Sequence, residues 1–176
     1  MEVNMNKTYA GIGTRATTPA DRELLFDTAA WLAKRDWHLF TGAAVGADQA
    51  FAEGALSVGG KVTLCLPWPS YEWKWVKAHP TWDVQIVGPY HDLAWDSVDL
   101  YHPNASQLKD SVRSLHARNY LIVDDRKFII ALPKLGPQGL GGTGQGIRVA
   151  EGLGIPIIRL DDPDDRERIT SKIYAQ

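Results

Sequence analysis

Short apolar runs and helical stripes alternate along almost the whole of this 176-residue chain. "KTYAGIG" (7–13) is an apolar run that ends in glycines and predicts a first strand. The next segment, "TTPADRELLFDTAAWLAKR", carries helix-start signals: Thr18 as N-cap, Pro19 in the first turn and Asp21 close behind. Leu24, Leu25, Thr28, Trp31 and Leu32 recur on one face at helical spacing. "WHLFTG" (37–42) predicts a second strand, and "ADQAFAEGALSVG" a second helix stopped by Gly59 and Gly60. "KVTLCLP" (61–67) predicts a third strand closed by Pro67.

The middle is less regular. "WPSYEWKWVKAHPTW", dense in tryptophan and proline, reads as a loop or broken helix, and "VQIVG" (84–88) as a short strand. Residues 105–123 space Leu108, Val112, Leu115 and Tyr120 as a helix does. A strand over 127–133, a glycine stretch, a helix over 144–153 and a strand over 155–160 follow, and the charged tail forms a last short helix. No repeat and no linker divides the chain, which predicts a single domain over 1–176.

Near-continuous apolar strands separated by helices predict an α/β, Rossmann-like domain, a parallel sheet with helices on both faces. Such sheets bind ligands beyond the carboxyl ends of their strands, where the strand order reverses. The rule singles out Gly11–Arg15, Thr41–Asp48, Pro67–Trp73 and Pro133–Gln145.

Composition narrows the picture. Hydrophobic residues make up 44 % and charged residues 23 %, with a net charge of −2, so nothing global attracts nucleic acid. Cys65 is the single cysteine, inside an apolar run, and reads as a buried inert thiol. No leader-like or membrane-spanning run is present in the sequence, and a cytoplasmic protein with no membrane partner is expected. The five histidines show no paired ligand spacing, so no metal is expected, and no cofactor either.

The glycine turns carry the candidate chemistry. "GIGTRA" (11–16) begins like a dinucleotide fingerprint, but its helix starts beyond the glycines and strand two ends without an acidic residue for a ribose. "GGTGQGIR" (141–148) lacks the Lys-Ser or Lys-Thr of a nucleoside triphosphate loop. What remains is physical: backbone amides of Gly141, Gly142, Thr143, Gly144 and Gln145, between a strand and a helix, can converge on an anion. The bland alternative is a tight turn that needs positive φ angles.

"YAGIGTR", "TGAAVGADQAFAEGAL" and "GGTGQGIRVAEGLGIPII" together resemble the SLOG superfamily. This groups the DNA-processing protein A family, the cytokinin-activating phosphoribohydrolases, and sensor domains of TIR immunity. Gly42, Gly46 and Asp48 fall on the S-G-x-x-x-G-x-D-x-x-A-H pattern of the first family; its basic residue is Val45 here and its histidine Ala52. The last block and "VRSLHARNYLIV" resemble stand-alone members common in bacteriophages. Gly141, Gly142 and Gly144 match the P-G-G-x-G-T pattern of the phosphoribohydrolases, but no proline precedes them directly and Glu151 arrives late. The resemblance spans about residues 8–160. It implies Gly11, Gly13, Thr14, Arg15, Thr41, Gly42, Gly46, Asp48, Arg118 and Asn119 as ligand-binding residues beside the glycine stretch.

Each candidate also has an ordinary role. Arg15 either pairs with phosphate or is a loop cation. Asp48 either holds a ribose hydroxyl or serves a helix start. Arg113 and His116 share a helix face that suits an anion or plain solvation. Trp68, Trp73, Trp75 and Trp82 suggest a core or dimer contact, or, for Trp68, a purine platform.

Three functions are consistent with these residues, ranked in this order. The first is binding of a nucleotide or an NAD-derived, cyclic ADP-ribose-type species, which in a phage protein would sequester an immune signal. The second is cleavage of the base–ribose bond of a nucleotide 5′-monophosphate, with Glu53 or Glu151 as the carboxylate. The third is a DNA-binding accessory role. A homodimer or higher oligomer is expected.

Overall fold

A computed structural model describes residues 6–88, 91–134 and 141–175. Six strands form one sheet: β1 (Thr8–Gly13), β2 (His38–Thr41), β3 (Val62–Leu66), β4 (Asp83–Ile86), β5 (Phe128–Leu132) and β6 (Ile157–Arg159). Every pairing is parallel, and the order is β4-β3-β2-β1-β5-β6. The chain runs outward from β1 to β4, then crosses back to place β5 on the other side of β1. The order therefore reverses between β1 and β5, and a crevice opens above their carboxyl ends.

Period-two alternation divides β1, β2, β3 and β5 between two cores. Tyr9, Leu39, Leu64, Ile130 and Leu132 face helices α1 (Pro19–Ala33) and α2 (Ala47–Ser57). Ala10, Ile12, Phe40, Cys65, Ile129 and Ala131 face α5 (Asp110–Val123) and α6 (Gly142–Leu153). The expected two-faced parallel sheet is what forms. α1 begins as its sequence predicts: Asp21 N–H donates to Thr18 Oγ1 and Thr18 N–H to Asp21 Oδ2, a reciprocal cap followed by Pro19.

Several boundaries differ from the sequence reading. Residues 73–78 of the tryptophan-rich segment form a short helix, α3 (Trp73–Ala78). Helix α4 (Asp92–Tyr101) has no counterpart in the periodicity, because it buries the small Ala94, Ser97 and Val98 and turns Leu93 and Leu100 to solvent. The helix expected over 105–123 starts at Asp110, after a single 3-10 turn at Ala105–Gln107. α6 starts at Gly142, two residues earlier than expected, and α7 (Pro163–Tyr174) closes the fold. Of the stretch 133–145, residues 135–140 lie outside the described residues.

Candidate functional site

At the β1–β5 crevice lies a cleft of about 500 Å³. The loop after β1 forms one wall and is pinned at both ends: Thr14 N–H donates to Leu132 O at 2.8 Å, and Ala47 N–H to Thr14 O at 3.0 Å. Gly46 makes the second contact possible. Its φ is +96°, and a Cβ there would lie 2.5 Å from Arg15 O. Gly13 serves the same closeness from below, since a Cβ would stand 2.9 Å from Leu132 O.

The opposite wall is the start of α6. Its first three amides, on Gly142, Thr143 and Gly144, have no acceptor within the helix. Gln145 N–H is the first to close a turn, donating to Gly141 O at 3.1 Å. Of the five amides singled out in the sequence, Gln145 is taken up by the helix, and those of Gly142, Thr143 and Gly144 are the ones its first turn leaves open. Gln145 turns inward instead. It is wholly buried, its Nε2 donates to Ser97 O at 3.4 Å, and it joins α6 to α4. Asn119 Nδ2 donates to Gly142 O at 3.2 Å and fixes this helix start against α5.

Two glycines here need no positive φ. Gly141 has φ −74°, and Gly142 is the first residue of the helix. A Cβ on Gly141 would meet nothing within 4 Å, and one on Gly142 only Asn119 Nδ2 at 3.9 Å. Gly141 is the N-cap of α6, a place that suits glycine; at Gly142 neither a positive φ nor packing among the described residues calls for it.

α5 supplies the floor. Arg118 is 6 % exposed, and its Nε and Nη1 have no hydrogen-bond partner among the described residues. Its guanidinium lies 4.8 Å from the centre of the Tyr71 ring, and Tyr71 OH accepts from Arg15 Nη2 at 3.2 Å. Nη2 is 4.0 Å from Asp48 Oδ2, an ion pair too long to be a hydrogen bond. Asp48 accepts from Ala44 N–H at 3.3 Å. Burial pushes the Asp48 carboxyl up to about 6, against the opposing pull of Arg118. An adjacent cation would ordinarily lower it; with both groups desolvated and the pair 4.0 Å apart, burial wins. Gly42 makes room for the pair: a Cβ there would collide with Asp48 Oδ2 and stand 2.9 Å from Arg118 Nη1.

His116 also lines the cleft, with its ring 4.4 Å from that of His102. Burial, with His102, Arg148 and Arg118 nearby, lowers His116 to about 4, so the ring is neutral near pH 7. Lys134 adds a cation at the rim, and Val112, Leu115 and Ile122 add an apolar side.

The structure thus gathers Gly13, Thr14, Arg15, Asp48, Arg118, Asn119, Gly141, Gly142, Thr143 and Gly144 around one space. The others support them from behind. Gly11 is covered by Phe51, and Thr41 Oγ1 donates to Gly11 O at 2.6 Å. Trp68 meets Tyr71 edge-on at 5.4 Å and braces it, rather than forming a wall. Arg113 is taken up by α4, donating to Trp95 O at 3.0 Å and Asp99 Oδ2 at 2.7 Å. Neither expected carboxylate reaches the cleft. Glu53 accepts from Arg22 and Trp75 Nε1, and Glu151 is exposed nine residues along α6. Tyr71 and the apolar patch of α5 were not singled out by the sequence; Tyr71 sits within Pro67–Trp73, where the strand-end rule points.

The fold and crevice define a parallel, Rossmann-like α/β protein with a ligand cleft at its switch point. No protein-family model and no curated protein matches the chain. Solved structures share its fold. DNA processing protein A from Helicobacter pylori, described with a single-stranded DNA binding mode, superposes with a TM-score of 0.61 at 20 % identity, covering 97 % of this chain and 74 % of that one. The molybdenum cofactor binding protein of Rippkaea orientalis gives 0.62 at 20 % identity, covering 98 % and 88 %. The molybdenum cofactor carrier protein of Chlamydomonas reinhardtii gives 0.56 at 18 % identity, covering 94 % and 84 %. The resemblance read from the sequence therefore holds at the level of fold. Among the described residues, no helix is long and apolar enough to cross a membrane.

Proposed function

We propose that the cleft binds a phosphorylated heterocyclic small molecule, a nucleotide or an NAD-derived species of the ADP-ribose type. One observation carries the reading: Gly141 and Gly142 border open cleft, with ordinary backbone angles and no packing neighbour that excludes a side chain. Among the described residues nothing fills the space that a Cβ on Gly142 would take, and the proposed ligand uses it. The free amides of the α6 start hold the phosphate. Arg118 brings two unpaired buried N–H groups, and the apolar side of α5 receives a ring. The fold is shared with proteins described as binding the molybdenum cofactor, and such a use of the fold agrees with a small-molecule cleft.

Holding is favoured over cleavage because Asp48 is the only carboxylate among the described lining residues, and it stands beside Arg118. In a phage-encoded protein, tight holding without turnover would sequester a nucleotide signal. Cleavage of a base–ribose bond keeps one support, the rise of Asp48 to about 6, which suits proton transfer near neutral pH.

The test pairs native mass spectrometry with one variant. Protein incubated with nucleotide monophosphates, NAD, ADP-ribose and cyclic ADP-ribose is expected to retain one of them intact; free base would instead mark an enzyme. Gly142→Ala should leave the apo protein at least as stable, because alanine favours a helix and meets no clash. It should weaken ligand binding about tenfold by obstructing one or two charge-assisted hydrogen bonds. Unchanged affinity in Gly142→Ala would reduce these glycines to a turn.

A further inference from the structure

A second cavity, of about 260 Å³, lies away from the cleft, between α1, the sheet and α7. Trp31, Trp37, Phe128, Ile130, Ile158 and Ile169 form most of its wall. It sits toward the amino ends of the strands, since Phe128 opens β5 and Trp37 precedes β2. α7 bridges it and buries none of its own residues. The helix is tied near its two ends: Arg166 Nη2 donates to Asp21 Oδ1 at 2.8 Å, and Tyr174 OH to Asp27 Oδ2 at 2.5 Å. Between those ties Ile169 and Ile173, one turn apart, face the gap.

We propose that this cavity is a ligand site for a small amphiphile with an apolar body and an anionic head. Water fits it poorly, because among the described lining residues polar groups are confined to Thr28, Lys172 and the indole N–H groups of Trp31 and Trp37, and the Thr28 hydroxyl already donates to Leu24 O at 2.6 Å. Its size selects a small molecule over a protein surface. A dry cavity of about 150 Å³ takes benzene, so this one accommodates about ten non-hydrogen atoms. The rim sets the sign of the head. Lys172 stands at the mouth, and the Arg35 guanidinium lies 3.6 Å from the centre of the Trp31 ring. Of the carboxylates nearby, Asp21 is paired with Arg166, Asp27 accepts from the Tyr174 hydroxyl, and Glu23 lies close to that hydroxyl, so Lys172 is the charged group that itself lines the cavity. This site does not depend on the function proposed for the cleft.

Octanoate, octan-1-ol and octylammonium are suitable probes, read by the indole N–H resonances of the seven tryptophans. Octanoate should shift Trp31 and Trp37 and leave the exposed Trp73 and Trp82 in place. Octylammonium should bind at least about fivefold more weakly, and Lys172→Glu should weaken octanoate about fivefold while sparing octanol. Ile169→Trp fills the cavity from α7 and should abolish all three. The wild-type comparison decides by itself should that variant fold poorly. No octanoate shift at millimolar concentration, equal shifts at all seven indoles, or equal affinity for octanoate and octylammonium would overturn the proposal.

Discussion

Replacing Asp48 by asparagine asks whether burial or its arginine neighbour governs the buried carboxyl. The side chain of Asp48 is 8 % exposed, and Arg118 Nη2 stays 4.0 Å away. Burial raises the carboxyl from 3.8 to about 6 although Arg118, the Ala44 amide and Arg15 all lower it. The folded state therefore holds this proton more tightly than the unfolded chain does. Its stabilising effect is fully present below the unfolded value and is lost as pH rises through about 6. A rise of this size corresponds to stability on the order of 3 kcal/mol. Asparagine keeps the shape and cannot ionise, so it lacks that slope. Urea unfolding of both proteins between pH 4 and pH 8 isolates the group, because other carboxylates cancel in the difference. The variant should gain on the wild type as pH rises from 4 to 7 and level off above that. A wild type that gains on the variant over this range would mean that the ion pair with Arg118 outweighs desolvation, and the reading of the cleft floor would fail.

Gly42→Ala should unseat the same pair, because its Cβ collides with Asp48 Oδ2; a loss of about 1–3 kcal/mol and weakened cleft binding are expected, measured by calorimetry. Tyr9→Phe should stabilise the protein by about 1 kcal/mol, since the wholly buried Tyr9 hydroxyl has no partner among the described residues; a lower melting temperature would show that a partner exists. Self-association, which we place on the β4 edge, where Trp73, Trp82, Val84 and Ile86 are exposed, should appear in light scattering as at least a dimer; a monomer at micromolar concentration removes it.

The sheet was legible because its inner strands are buried on both faces and read as unbroken apolar runs, as "KVTLCLP" does. α1 was legible because a reciprocal cap and a proline announce it. α4 was not, since a helix that buries alanine, serine and valine while exposing two leucines inverts the usual stripe. In the site, the strand-end rule located the cleft, but strand ends say nothing of depth. Gln145 and Thr41 sit at the right places along the chain and point into the protein, Gln145 toward Ser97 and Thr41 toward Gly11. Glu53 and Glu151 were matched by residue type, and only the packing of α2 and α6 reveals that both lie off the cleft. Tyr71, which links Arg15 to Arg118, lay hidden among tryptophans in a segment without periodicity.

The glycines of this chain divide into two kinds, and the division bears on function. Gly11, Gly13, Gly42 and Gly46 are required by the protein itself: each would drive a Cβ into Phe51, Ala47, Asp48 or the Arg15 carbonyl. They bring β1, α2 and the Asp48–Arg118 pair to close quarters beneath the cleft. Their presence is explained without any ligand. Gly141 and Gly142 are different, because a Cβ at either meets no close neighbour and neither takes a positive φ. Gly141 is the N-cap of α6, a position where glycine is favoured over alanine, whereas Gly142 lies inside the helix, where glycine costs up to about 1 kcal/mol against alanine. On the proposed binding reading, the glycine at 142, which relieves no clash among the described residues, leaves room for a ligand. Facing it across the same space is a buried arginine with two N–H groups unpaired. These two features, open amides at the α6 start and a guanidinium with no hydrogen-bond partner for Nε or Nη1 among the described residues, are what the proposed binding of an anion in the cleft of about 500 Å³ rests on.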